Sequence, residues 1–132
     1  MACILLVEDD QGVRTLTREI LEGAGHIVSE AADGAIGVTR FKAERFDLVI
    51  TDLIMPEQEG IETIQIIRRL NRVVPIIAIS GGGRGEATDY LQVALKLGAD
   101  AALAKPFSPA ELRDLVRTWL AFGVLGPDAA SA

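Results

Sequence analysis

Leu48-Val49-Ile50-Thr51-Asp52-Leu53-Ile54-Met55-Pro56 is a short apolar run that stops at a carboxylate and is soon followed by a proline. Such a run suits a parallel strand covered on both faces, because neither side of it offers a polar residue to water. Asp52 then stands at the C-terminal end of the strand. In open α/β sheets ligands bind beyond that end, so a carboxylate there is a candidate for chemistry. An aspartate after a strand is most often the first polar residue of a loop, and the rest of the chain has to decide between the two readings.

On the N-terminal side, Ile4 to Val7 reads as a first strand that runs into Glu8-Asp9-Asp10. Val13, Leu16, Ile20 and Leu21 then recur at helical spacing, and Gly23 and Gly25 close the helix. His26 to Ala31 is a shorter, more polar strand fit for a sheet edge. Asp33 can cap a second helix with Ile36, Val38 and Phe41 inward. The third strand spans Phe46 to Thr51. Pro56, Glu59 and Gly60 are placed in the following loop, before a helix that turns Ile61, Ile64, Ile67 and Leu70 toward the core.

Further on, Pro75 opens a fourth strand, Ile76 to Ile79, which ends at Ser80. Gly81-Gly82-Gly83-Arg84-Gly85 connects it to a helix from Glu86 to Leu97, closed by Gly98. Asp100 to Ala104 is an alanine-rich fifth strand ending at Lys105-Pro106-Phe107. Ser108-Pro109-Ala110-Glu111 is a capping-box start for a final helix with Leu112, Leu115, Val116 and Trp119 on one side. Strands and helices alternate five times, joined by short connections. That pattern predicts one α/β domain over residues 1–122, a doubly wound parallel sheet with helices on both faces, and a mobile tail over 123–132.

The 132 residues, 49% of them hydrophobic, allow one buried core, and the net charge of -6 argues against a partner bound through a phosphate backbone. Arg68, Arg69 and Arg72 form the densest basic cluster and read as a solvated helix face. Cys3, the single cysteine, reads as a small buried or half-buried hydrophobe rather than a reactive thiol. The N-terminus lacks the basic region of a signal peptide and no run approaches a membrane span, which leads to the expectation of a cytoplasmic protein without membrane contact.

Four strands end on polar groups: Glu8 and Asp9, Asp52, Ser80 and Lys105. A sheet of order 2-1-3-4-5 would gather them at the switch point between strands one and three. Clustered carboxylates attract a hard cation such as Mg2+, and a carboxylate can attack phosphorus. Phosphoryl transfer needs mainly charge neutralisation and positioning, with a metal, an ammonium and a hydroxyl around the incoming oxygens. Asp9, Lys105 and Ser80 fit those parts.

Taken in order, Leu6-Val7-Glu8-Asp9-Asp10, Asp52 to Pro56 with Gly60 beyond it, Pro75 to Ser80, and Lys105-Pro106-Phe107 resemble the response-regulator receiver domains of two-component signalling. The resemblance covers residues from about 3 to 122. It implies a flavodoxin-like (βα)5 fold and Asp52 as phosphoacceptor from a histidine kinase or histidine phosphotransfer protein. It also implies Mg2+ held by Asp52, by Asp9 directly, by Glu8 through water and by the backbone carbonyl of Ile54. Ser80 would hydrogen-bond the phosphoryl group and Lys105 would pair with it, with the Lys105-Pro106 peptide cis. Asp10 falls just past the metal position and is assigned to the helix start.

Two positions depart from the family. Ala102 stands where a Tyr or Phe usually acts as a rotamer switch, and Gly81-Gly82-Gly83 follows the hydroxyl in place of an alanine. The expectation drawn from them is a switch that orders the glycine loop around Ser80. A haloacid-dehalogenase-type phosphatase fits poorly, because its second aspartate is Ile54 here, and the glycine cluster lacks the spacing of a nucleotide-binding loop. A phosphorylation-silent receiver-fold module is the other alternative. The expected protein is no enzyme beyond its own phosphorylation and dephosphorylation. It would act alone on a downstream protein, or as a homodimer, through the fourth helix, fifth strand and fifth helix, where Leu91, Leu95, Arg113 and Arg117 are candidates.

Overall fold

Alternation along each strand decides how the layers form, since successive side chains point to opposite faces of the sheet. In the computed structural model, which describes residues 1–53, 59–80 and 86–124, the strands are β1 (Cys3–Val7), β2 (Ile27–Ala31), β3 (Leu48–Asp52), β4 (Ile76–Ser80) and β5 (Ala101–Ala104). They pair in parallel in the order β2-β1-β3-β4-β5. The connecting helices are α1 (Gln11–Gly23), α2 (Gly34–Ala43), α3 (Glu59–Leu70), α4 (Glu86–Leu97) and α5 (Pro109–Val124).

Leu5, Val7, Val49, Ile76 and Ala78 face one way and pack with Ile64 and Ile67 of α3 and Ala94 of α4. Ile4, Leu6, Leu48, Ile50, Ile77 and Ile79 face the other and meet Leu21 of α1 and Leu112 and Val116 of α5. Every residue of β3 and β4 is buried, as the apolar runs predict for central strands. Cys3 is half-buried against the first of these cores. Among the described residues no helix is long and apolar enough to cross a membrane.

The helix caps follow the sequence. Asp33 Oδ1 accepts from the Ile36 amide at 2.8 Å. Ser108 and Glu111 satisfy each other's amides at 3.0 and 3.1 Å, a closed capping box.

Several inward assignments change. Leu16 is 59% exposed, and Thr17 and Leu21 are the buried residues of α1. Ile36 is exposed because α2 turns Gly34 and Gly37 to the sheet, so close that a Cβ on Gly37 would lie 2.8 Å from Val7 Cγ2. Leu70, the last residue of α3, is exposed and lines a cavity with Phe46 and Val74. Helix α3 already includes Glu59 and Gly60, which the sequence pattern places in the preceding loop. Strand β3 begins two residues after Phe46, whose ring stacks on Phe41, and gains Asp52 at its other end. Helix α5 reaches Val124, so it passes through Gly123, where the sequence reading began its tail. The glycine connection 81–85 and residues 125–132 lie outside the described residues.

Arg68 corrects the reading of a solvated basic face. Its Nε and Nη2 donate to the Gly98 carbonyl at 3.0 and 2.8 Å, and its Nη1 donates to the Val74 carbonyl at 2.8 Å. Nη2 also pairs with Asp100 at 2.8 Å, whose carboxylate accepts from the Ile76 amide as well. One side chain therefore ties α3 to the entrances of β4 and β5, whereas Arg69 and Arg72 remain exposed. Replacing Arg68 by Met strands several half-buried acceptors and is expected to cost about 2–3 kcal/mol in urea unfolding, against less than about 0.5 kcal/mol for Arg69→Met. Equal costs would show that these bonds do not carry the difference.

Candidate functional site

Backbone pairing continues one residue past the strands and draws the polar ends together. The Glu8 amide donates to the Ala31 carbonyl at 3.0 Å, Leu53 to Ile79 at 2.8 Å and Lys105 to Ser80 at 2.8 Å. Glu8, Asp52 and Lys105 thereby arrive at one edge although they are far apart in sequence. Lys105 Nζ lies 2.9 Å from Glu8 Oε1 and 3.0 Å from Asp52 Oδ2. Glu8, Asp9 and Asp52 each offer an oxygen, and these lie within 4.8 Å of one another. Glu8 and Asp52 are buried and Asp9 is exposed, so the cluster opens to solvent on the Asp9 side. Ser80 is fully buried, and its Oγ finds no hydrogen-bond partner among the described residues.

Crowding shows in the protonation of Glu8, whose carboxyl is pushed up to about 7. Burial is the main cause, helped by the hydrogen bond and negative charge of Asp52, while Lys105 pulls the other way. Burial by itself would lower Lys105, but its bonds to Glu8 and Asp52 prevail and raise it, so the ammonium is secure. Three carboxylates against one ammonium leave two negative charges when all are ionised, the charge one divalent cation would neutralise. The donors are all oxygen, which suits a hard cation.

Other expected residues fall as follows. Asp10 caps α1, its Oδ1 accepting from Val13 at 2.9 Å, and takes the helix-start role assigned to it. The Lys105-Pro106 peptide is cis. Ile54 lies outside the described residues. Leu95, Arg113 and Arg117 are exposed, whereas the side chain of Leu91 is not among those described.

Two contributors were not read for what they do. Gly60 belongs to the motif that follows Asp52, and its reason is steric. A Cβ there would overlap the Asp52 carbonyl oxygen and lie 2.7 Å from Leu53 Cα, so only glycine lets the first turn of α3 rest on the strand end that carries Asp52. Arg14 donates from Nη1 to the Glu8 carbonyl at 2.8 Å. Its spacing from Asp10, one helical turn, was visible, but that pattern most often marks a surface pair.

Comparison with known proteins agrees with this geometry. The sequence model of the family described as "Response regulator receiver domain" matches residues 4–117. The chain is 39% identical to the KDP operon transcriptional regulatory protein KdpE of Escherichia coli, over 91% of this chain and 52% of that protein. It is 35% identical to the chemotaxis protein CheY of Halobacterium salinarum, over 86% of this chain and 92% of that one. The crystal structure of a putative response regulator from Chloroflexus aurantiacus superposes with a TM-score of 0.83 at 30% identity, covering 91% of this chain and 98% of that one. The chain spans about half the length of several curated relatives that it matches.

Gly60→Ala is expected to lower stability by about 1–3 kcal/mol in urea unfolding, in spite of the ~1 kcal/mol that alanine gains in a helix. A stabilised variant would show that α3 does not press on Asp52. In chelator, the raised Glu8 makes the folded chain hold one proton more than the unfolded chain between pH 4.5 and about 7. Unfolding free energy should therefore fall as pH rises through that window, by on the order of 3 kcal/mol from this group, and Glu8→Gln should remove that part of the fall. Identical pH profiles for the two proteins would refute it.

Proposed function

Since this chain belongs to the response-regulator receiver family, we propose that Asp52 is its phosphoacceptor and that phosphorylation switches its binding to a protein partner. The supporting observation is a buried Asp52 beside Glu8 and Asp9, with Lys105 Nζ at 3.0 Å. A carboxylate oxygen of Asp52 attacks phosphorus, the bond from phosphorus to the donor breaks in line, and the donor leaves with the electron pair. With a histidine kinase or histidine phosphotransfer protein as donor, the leaving atom is an imidazole nitrogen. Lys105 neutralises the phosphoryl oxygens, and the Ser80 hydroxyl, otherwise without a partner among the described residues, donates to one of them.

Asp9 and Asp52 directly, Glu8 through water and the Ile54 carbonyl would hold Mg2+, which when bound supplies the remaining charge neutralisation. Burial keeps Asp52 and Glu8 from free exchange with solvent, and Asp9 faces the entrance. The chain performs no turnover beyond its own phosphorylation and dephosphorylation.

We assign output to the face of α4, β5 and α5, where Leu95, Arg113 and Arg117 are exposed, with a second copy of the chain or a downstream protein as partner. Ala102, half-buried on β5 beside Ala78, leaves that strand without a swinging ring. The protein would act in the cytoplasm.

Intact-mass spectrometry after incubation with acetyl phosphate tests the reaction. One Mg2+-dependent phosphoryl adduct is expected, absent in Asp52→Asn and formed about 100-fold more slowly in Lys105→Met, the scale of losing one electrostatic stabiliser. A folded chain that takes no adduct with Mg2+ would instead be a receiver fold that signals by binding alone.

A further inference from the structure

We propose that Arg14 is a positioning residue for the cation site, acting through the backbone carbonyls of Glu8 and Asp9 and held in that pose by Glu30. The inference rests on the Mg2+-dependent phosphoacceptor reading and adds to it the group that sets the acidic pair.

Arg14 lies in the second turn of α1, with its side chain only 16% exposed. Its Nη1 donates to the Glu8 carbonyl at 2.8 Å and, at 3.5 Å, to the Asp9 carbonyl. Its Nε faces Glu30 Oε1 at 3.3 Å, and the other oxygen of Glu30 takes Arg18 Nη1 at 2.6 Å. Glu30 belongs to β2, and the next residue, Ala31, accepts from the Glu8 amide. The peptide groups on either side of Glu8 are thus held from two directions, the amide by β2 and the carbonyl by α1. Asp9 follows on backbone that lies between the Arg14 contact to its carbonyl and the Asp10 cap of α1. Turning that backbone would swing the Asp9 carboxylate away from Asp52 and open the 4.8 Å cluster.

Charge distinguishes this role from a simpler one. A guanidinium close to a cation site repels a divalent ion, so Arg14 as a mere charge works against metal binding. Among the described residues its polar contacts are those to the two carbonyls and to Glu30, and none of them goes to a carboxylate of the cluster. Its contribution is therefore geometric, and removing it has opposite effects under the two readings. Groups that hold metal ligands in place commonly matter to affinity by tenfold or more.

The test titrates the full chain with MgCl2 alone, without phosphodonor, and follows the amide NMR shifts of Glu8, Asp9 and Asp52 for wild type, Arg14→Lys and Arg14→Met. Melting in chelator and phosphorylation by acetyl phosphate are measured alongside. Positioning predicts a Kd for Mg2+ about tenfold weaker in Arg14→Met and weakened also in Arg14→Lys, which keeps the charge but loses the fork. Tighter binding in Arg14→Met with unchanged Arg14→Lys would reduce Arg14 to a charge, and unchanged affinity in both with lowered melting would reduce it to a structural tie. Either result overturns the proposal. Should Arg14→Met fail to fold, Arg14→Lys alone separates the readings, because only positioning weakens it. Wild type phosphorylated at Asp52 beside variants of equal Mg2+ affinity would sink this inference and leave the phosphoacceptor reading standing, whereas folded wild type with no Mg2+ shifts would sink both.

Discussion

Like charges held together in a half-dry pocket are the constraint around which this molecule is built. Parallel strands all point the same way, so their C-terminal ends crowd into one edge, and here that edge receives Glu8, Asp52 and Asp9. Left alone, such a cluster would drive itself apart or take up a proton, and Glu8, raised first by burial and then by Asp52, leans toward the second. Lys105 relieves part of it with one ammonium shared between two carboxylates. The remaining imbalance is negative and suits a divalent cation.

Holding this arrangement falls to backbone contacts more than to the acids themselves. Gly60 lets α3 rest against the end of β3, and Arg14 grips the carbonyls behind the acidic pair. On the opposite side of the sheet's length, Arg68 performs a related task where β4 and β5 begin. These side chains, or their absence, convert a generic layered fold into a frame that sets where the acidic oxygens lie.

The sequence made the architecture and the reactive groups legible for the same reason. Buried parallel strands are written as unbroken apolar runs, and a charged residue that terminates such a run stands out, as Asp52, Glu8 and Lys105 do. Capping residues were equally plain, since Asp33 and the pair Ser108 and Glu111 act on amides three positions away. Legibility failed where a contact crosses the chain. Leu16 and Ile36 read as core from periodicity, but Thr17 fills the first place and close approach at Gly37 excludes the second. Arg68 read as solvated because its acceptors lie on elements remote in sequence, the Gly98 carbonyl among them. Arg14 and the steric role of Gly60 were hidden likewise, because carbonyl oxygens have no letter in a sequence.

The span of the Lys105 bridge has a consequence for how the chain acquires its chemistry. Lys105 meets Glu8 across 97 positions and Asp52 across 53, so the pocket joins the first strand, the middle strand and the end of the last. Contacts of such sequence separation carry a large loop-closure cost and form only when most of the sheet is in place. No partially assembled form holding β1 through β4 alone would bring an ammonium to the carboxylates. The complete pocket is therefore a property of the whole folded domain, and local loosening of β5 would slow its chemistry without touching a single acidic residue.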